Sequence, residues 1–205
     1  MNALKRRKHA ILLTALIGVA LVESFNHRLL LGPLASDLVI SMTRLLAFLI
    51  VFERRLSRLI AFITMTIAVA IDWTQYVLPP SSPQASLLVL YHSALLLFLG
   101  FAAIVILRNI FERRVVRADD VLGAVCGYLL TARAWSHLFL LIEIFVPGSF
   151  NVGSGFFARL DTWDGRTAVL NYVSLGSLTG VGSGAVVPVC PPAPKLAAIT
   201  VAFTT

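Results

Sequence analysis

The stretch with the clearest chemical potential is SLTGVGSGAVVP, residues 177 to 188, in which glycines are interleaved with small and apolar residues. It contains no acid, base or thiol, so its chemistry belongs to the backbone carbonyls. Glycine adopts left-handed dihedrals at little cost, and these aim successive carbonyls toward the same side. Carbonyls arranged in this way replace the hydration shell of a cation. The run therefore predicts a loop that coordinates a cation through its backbone.

Other kinds of reactive site are not indicated. The chain has no G-x-S-x-G, H-E-x-x-H or phosphate-loop motif, and no lysine follows the glycines of the run. Cys126 and Cys190 provide neither a disulfide framework nor a ligand cluster. We therefore expect no enzyme activity, no cofactor and no metal site. The basic residues cluster at the ends of apolar segments, so the net charge of +7 indicates membrane orientation rather than nucleic-acid binding.

A few ionisable residues fall inside or near apolar segments, where they are costly and a functional role is the default hypothesis. They are Arg44, Asp72, Arg133, His137 and Glu143. The alternative is a set of structural ion pairs or side chains that reach back to the interface. Arg133 and His137 are four residues apart and share one face of a helix. This spacing favours a polar seam against the second or third helix.

The elements that must position these residues are membrane helices. The chain has 205 residues, of which 58% are hydrophobic and 13% charged. Its mean hydropathy is +0.88. A soluble domain has about a quarter of its residues charged. The composition predicts an all-α polytopic membrane protein. Five spans are expected, approximately at 9–24, 34–52, 59–77, 87–107 and 121–146.

The distribution of lysine and arginine predicts the orientation. One set of predicted loops holds residues 5 to 8, 54 to 58 and 108 to 117, with eleven basic residues, and the opposite set holds Arg28, Arg159 and Arg166. The positive-inside rule makes the first set cytoplasmic. The protein is therefore expected in the cell membrane with a cytoplasmic N-terminus. The loop 147–166, with a flexible turret at 149–155, is expected outside.

The segment TAVLNYVSLGSL, residues 167 to 178, leads directly into the glycine run. At about 12 residues it is too short to cross the bilayer. Irregular backbone at membrane depth survives only inside protein or along a water-filled path. A short helix that enters from outside and stops at glycines therefore predicts a re-entrant loop.

The run NYVSLGSLTGVGSGAVVPVCPPAP resembles the pore loop of bacterial potassium channels, whose filter reads T-V-G-Y-G followed by Asp. RADDVLGAVCGYLL and FVPGSF are similar to the outer helix and turret of members with four helices ahead of the pore. The resemblance implies a four-helix region at 1–116, a pore domain at 117–205, and a homotetramer that conducts potassium or another monovalent cation. The ion filter it implies consists of Thr179, Gly180, Val181, Gly182, Ser183 and Gly184.

Departures from the family pattern support a second hypothesis. Gly180 stands where the family has Thr, Ser183 where it has Tyr, and Ala185 where it has Asp. After Pro194 the eleven residues KLAAITVAFTT give about 16 Å of helix, roughly half the hydrocarbon core. The alternative is a truncated or non-conducting channel-like protein that modulates a full-length homologue. A small membrane enzyme or transporter is a third hypothesis, but transporters usually show paired broken helices.

Overall fold

The computed structural model describes residues 8–25, 33–52, 55–77, 85–112, 117–152, 163–182, 186–189, 194–195 and 199. Within these residues the chain forms six α-helices and two short strands. In chain order they are α1 (Lys8–Phe25), α2 (Pro33–Val51), α3 (Arg55–Val77), α4 (Ala85–Phe111), α5 (Ala118–Phe145), β1 (Phe150–Val152), α6 (Trp163–Leu178) and β2 (Val186–Pro188). The predicted, almost entirely helical architecture is confirmed.

Three helices are long and apolar enough to cross a membrane in the part of the chain that the structure describes. They comprise Arg55–Thr74, Ser86–Phe111 and Ala118–Phe145. Lys8–Val22 is a shorter apolar helix. Each of the five segments expected to span therefore forms a helix, and three of them meet the length and hydropathy that a span requires. The expected short last helix lies largely outside the described residues.

The two strands correct the all-α expectation. β1 pairs antiparallel with β2, in the register Phe150 with Pro188 and Val152 with Val186. Each strand has three residues and they are far apart in the chain, so no hairpin turn signals the pairing. β1 also lies inside the segment expected to be a flexible turret. In the pairing, the backbone polar groups of each segment bond to the other segment. In a free loop they would bond to water.

The chain divides into two compact units, each with its own core. Unit 1 comprises Met1–Pro80 and Phe98–Leu130, and unit 2 comprises Ser81–Leu97 and Thr131–Thr205. The helices α4 and α5 therefore each contribute one half to each unit. The predicted domain boundary between residues 116 and 117 stays a prediction.

Unit 1 is a helix-on-helix core to which five helices contribute. Its buried cluster includes Leu12, Phe52, Ala61, Ile106 and Cys126, one from each helix or the residue that follows it. The Phe52 side chain is fully buried, and its ring lies 5.4 Å from that of Phe101 between centroids. Stacked aromatic pairs at this separation stabilise a core beyond their buried area.

The start of α5 is fixed by carboxylates, as expected for acids at a helix N-terminus. Asp120 Oδ2 accepts a hydrogen bond from the Arg117 backbone N–H at 2.9 Å. His9 Nδ1 lies 2.9 Å from both the backbone oxygen and a carboxylate oxygen of Asp119. An added Cβ at Gly123 would sit 3.0 Å from the His9 ring. Glycine thus permits the close approach of α1 to α5.

An ion pair joins α2 to α3 inside unit 1. The Arg44 guanidinium contacts the Asp72 carboxylate, and the two side chains are 11% and 18% exposed. Burying either charge alone would be strongly destabilising, whereas the pair compensates both. Of the two hypotheses for these residues, the structure supports the structural ion pair.

Candidate functional site

The short helix α6 runs antiparallel to the second half of α5. Near the start of α6, Arg166 Nη1 lies 3.9 Å from Glu143 Oε1. Two turns later, the buried Ser174 hydroxyl donates to the Ala132 carbonyl at 2.5 Å. Between these contacts Val169, Leu170 and Val173 pack against the apolar face of α5. Ala132 lies about 20 Å before the end of α5 at 1.5 Å per residue. The helix α6 therefore ends near the midpoint of α5.

The chain then returns toward the end from which α6 started. Val186 packs in the same buried cluster as Phe139 and Phe150, beside the last turns of α5. The Val189 backbone N–H donates to the Ser149 carbonyl at 2.9 Å, just beyond the pairing of β2 with β1. The helix α6 thus runs along α5 toward its midpoint, and at Val186 the chain is again beside the last turns of α5. Its entry into a membrane as a re-entrant loop stays a prediction.

The turn of this path contains the predicted filter residues. The structure describes Thr179, Gly180, Val181 and Gly182, and all four are exposed. Ser183 and Gly184 lie outside the described residues. Gly180 and Gly182 have φ of +70° and +74°, and no non-glycine residue in the described chain has a positive φ. Glycine is required twice, because other residues adopt this region at a cost of about 1–2 kcal/mol.

Three of these four residues close the end of α6. The Thr179, Gly180 and Gly182 backbone N–H groups donate to the carbonyls of residues 175, 177 and 176, at 3.0, 3.2 and 3.0 Å. The Thr179 hydroxyl also turns back and donates to Leu175 O at 3.0 Å and Gly176 O at 3.1 Å. These carbonyls would otherwise lack partners at a helix C-terminus. The N–H groups of the loop therefore bind the loop to the last turn of α6.

Glu143, which the sequence leaves without an identified partner, holds the segment after α5. Its carboxylate accepts hydrogen bonds from the Gly148 N–H at 2.9 Å and the Phe150 N–H at 3.3 Å. The side chain is 11% exposed. A cavity of about 230 Å³ lies beside it, lined by Glu143, Pro147, Gly148, Phe150, Arg166, Val169 and Leu170. Glu143 thus positions β1, and through it the strand that leaves the glycine loop.

A buried histidine pair joins the halves of α4 and α5 in unit 2. His92 Nδ1 lies 3.1 Å from His137 Nδ1, and the two side chains are almost fully buried. The Tyr91 ring contacts both imidazoles edge-on. The structure gives His137 a partner on the fourth helix, and the expected polar seam of Arg133 and His137 against the second or third helix stays a prediction. Sequence reasoning missed His92, although one polar ring in a long apolar helix is a usable signal.

No group of three or more metal-ligating side chains occurs among the residues that the structure describes. Two imidazoles in direct hydrogen-bond contact are fewer ligands than a structural zinc site uses.

Comparison of the chain with known protein families, with curated proteins and with solved structures finds no match. Function must therefore be argued from the site itself.

Proposed function

We propose that the chain is a polytopic protein of the cell membrane in which α1 to α5 cross the bilayer, with the N-terminus in the cytoplasm. Support comes from the three helices that meet the length and hydropathy of a span. The many exposed apolar side chains agree with a lipid environment, for example Leu49 and Phe62 at 65% and 51% exposure. In water such a surface would drive association.

Within that membrane protein, we propose a pore-loop cation channel subunit. One observation carries the proposal: α6 ends near the midpoint of α5, and the chain then returns through two left-handed glycines to the end where it began. If α5 spans the bilayer, the glycine loop lies near its middle. Non-helical backbone at that depth must line a cavity or be buried in protein.

The proposed ligands are the backbone carbonyls of Thr179 to Gly184, and the proposed ion is potassium or another monovalent cation. A single loop supplies one part of each carbonyl ring, so a homotetramer completes the site. The exposure of the loop in one chain fits this arrangement, since Val181 is 84% exposed and offers a surface for other copies. Conduction would be passive, with selectivity set by carbonyl geometry.

A second candidate is a non-conducting membrane protein with the same architecture. It is favoured by the hydrogen bond from Gly182 N–H to Gly176 O, which folds the start of the loop back over the end of α6. An extended filter would not make this backbone bond. In the family that the chain resembles, Tyr and Asp at the positions of Ser183 and Ala185 brace the filter and its mouth, and Thr at the position of Gly180 adds a cation ligand. All three side chains are replaced here.

Cation flux through the purified protein in liposomes tests the proposal, with potassium compared against sodium. Gly182→Ala is the key variant, because an added Cβ meets no atom within 4 Å and only the left-handed φ is strained. Gly18→Ala is the matched control: its site is equally open and its backbone is helical.

We expect potassium flux in the wild type and the control, and about a tenfold or larger loss in Gly182→Ala. Equal potassium and sodium flux that is lost in the variant indicates a non-selective pore. Absence of flux from folded wild-type protein refutes the channel proposal and leaves the non-conducting candidate.

A further inference from the structure

Basic side chains gather at one end of unit 1. Lys8 is the first residue of α1, Arg55 is the first of α3, Arg108 lies in the last turn of α4 and Arg117 directly precedes α5. The buried cluster of unit 1 draws residues from these same helix ends, including Leu12, Ala61, Ile106 and Cys126. Three contacts set the helix ends side by side: His9 of α1 on Asp119 of α5, Leu107 of α4 against Gly127 of α5, and Phe52, just before α3, on Phe101 of α4. The basic residues therefore share that side.

These cations are available at the surface. The side chains of Arg55, Arg58 and Arg117 are exposed, and Arg108 is 61% exposed. Together with Lys8, five described basic residues therefore lie at this end.

Among the described residues, the nearby acids are committed to helix ends. Glu112 pairs with Arg108 within one turn, with Nε and Oε1 2.6 Å apart. Asp119 binds His9, and Asp120 caps the backbone of Arg117. None of these carboxylates contacts Arg55, the most separate of the exposed cations, in the described hydrogen bonds and ion pairs. The surface thus keeps a net positive charge after its internal pairs are counted.

We infer that this basic end of unit 1 binds the headgroup phosphates of anionic phospholipids. Clusters of four to eight basic residues next to membrane helices attract anionic lipid, and each cation near the surface strengthens the attraction about fivefold. Arginine forms two parallel hydrogen bonds to one phosphate. The inference rests on the membrane part of the proposed function and does not depend on conduction.

The test is lipid retention by the full chain. The protein is equilibrated in micelles with equal amounts of phosphatidylglycerol and phosphatidylcholine, re-isolated, and its bound lipids are counted by mass spectrometry. The double variant Arg55→Gln, Arg117→Gln removes two cations from the basic end. Arg28→Gln, Arg159→Gln is the charge-matched control from the predicted opposite side. Arg58 is left intact because its Nε donates to the Phe52 carbonyl at 3.1 Å.

We expect the wild type and the control to retain phosphatidylglycerol at least tenfold over phosphatidylcholine, and the Arg55, Arg117 variant to lose most of that preference. Higher salt is expected to weaken it. Equal preference in all three proteins overturns the inference, as does an equal loss in the control. Displacement of the lipid by inorganic phosphate at matched ionic strength assigns the site to free phosphate and also overturns it.

Each single variant, Arg55→Gln and Arg117→Gln, is measured alongside the double, with folding checked by circular dichroism. If the double variant fails to fold, the single variants test the inference. Each is expected to lose about fivefold of the preference for phosphatidylglycerol. Lipid preference without cation flux would leave this inference standing and refute the channel. Flux without lipid preference would support the channel and refute this inference.

Discussion

The two compact units use polar side chains differently. In unit 1, two ionic contacts join one regular helix to another, namely the pairs Arg44–Asp72 and His9–Asp119. In unit 2, Glu143 and Ser174 bind backbone groups instead, and Glu143 holds backbone outside the helices. A helix satisfies its own backbone, so unit 1 needs polar groups only at contacts and ends. A chain that turns back on itself needs side chains to support the turn.

The largest expected effect tests the support that Glu143 gives to β1. In Glu143→Ala the Phe150 N–H is left part-buried without its acceptor, and Arg166 loses its carboxylate. We expect a loss of about 2–3 kcal/mol in unfolding free energy. Denaturant titration in mixed micelles measures it.

The control for that experiment is Glu112→Ala, which removes an exposed carboxylate one turn from Arg108 and should cost only a few tenths of a kcal/mol. Equal costs for the two variants would mean that Glu143 has no special role.

A second variant tests the packing of α1 against α5 in unit 1. Gly123→Ala pushes a methyl group against the His9 ring, so α1 must shift away from α5. We expect a loss of about 1–3 kcal/mol, as for other overpacked contacts. Gly18→Ala, in an open site, should be neutral or slightly stabilising. The thermal unfolding midpoints of the two variants measure these changes in stability. An unchanged midpoint for Gly123→Ala would contradict the close packing.

Two buried serines in unit 2 make a finer test. Ser174→Ala removes the hydrogen bond that places α6 against the middle of α5, and we expect a loss of about 1 kcal/mol. The Ser136 hydroxyl is buried and has no hydrogen-bond partner among the described residues. Ser136→Ala should therefore leave stability unchanged or raise it. The opposite order of stabilities in the same denaturant titration would show that the hydroxyls have been assigned the wrong roles.

The smallest expected effect concerns the histidine pair. Coupling between polar side chains of membrane helices averages about 0.6 kcal/mol. A double-mutant cycle of His92→Ala and His137→Ala should give a coupling of that order. A coupling near zero would mean that the two imidazoles are neighbours without a stabilising hydrogen bond.

Much of unit 1 follows from the sequence. Long apolar runs bounded by Lys, Arg, Gly and Pro predict the helices α1 to α5, because each run is a local property of the chain. The acids at 119 and 120 predict the start of α5 for the same reason. The short helix α6 and its glycine turn also follow from local pattern, although the sequence alone does not give the bond from Gly182 to Gly176.

What the sequence could not give depends on distant partners. β1 and β2 are three residues each, and neither has a periodicity that identifies a strand. His92 and His137 meet only because α4 and α5 pack in one particular register. The hydrogen-bond partners of Glu143 are backbone groups, which carry no sequence signal at all. Such contacts are visible only once the chain is folded.

The pairing of β1 with β2 also sets an order of assembly. Phe150 must wait for Pro188 to be synthesised before the sheet closes, and α6 lies between the two strands in the chain. Closing a loop of this length has an entropic cost that only the finished contacts offset. The helices α1 to α3 of unit 1 contact helices that are near in the sequence, so these contacts form with less delay. The glycine turn is therefore among the last parts of the described chain to take shape.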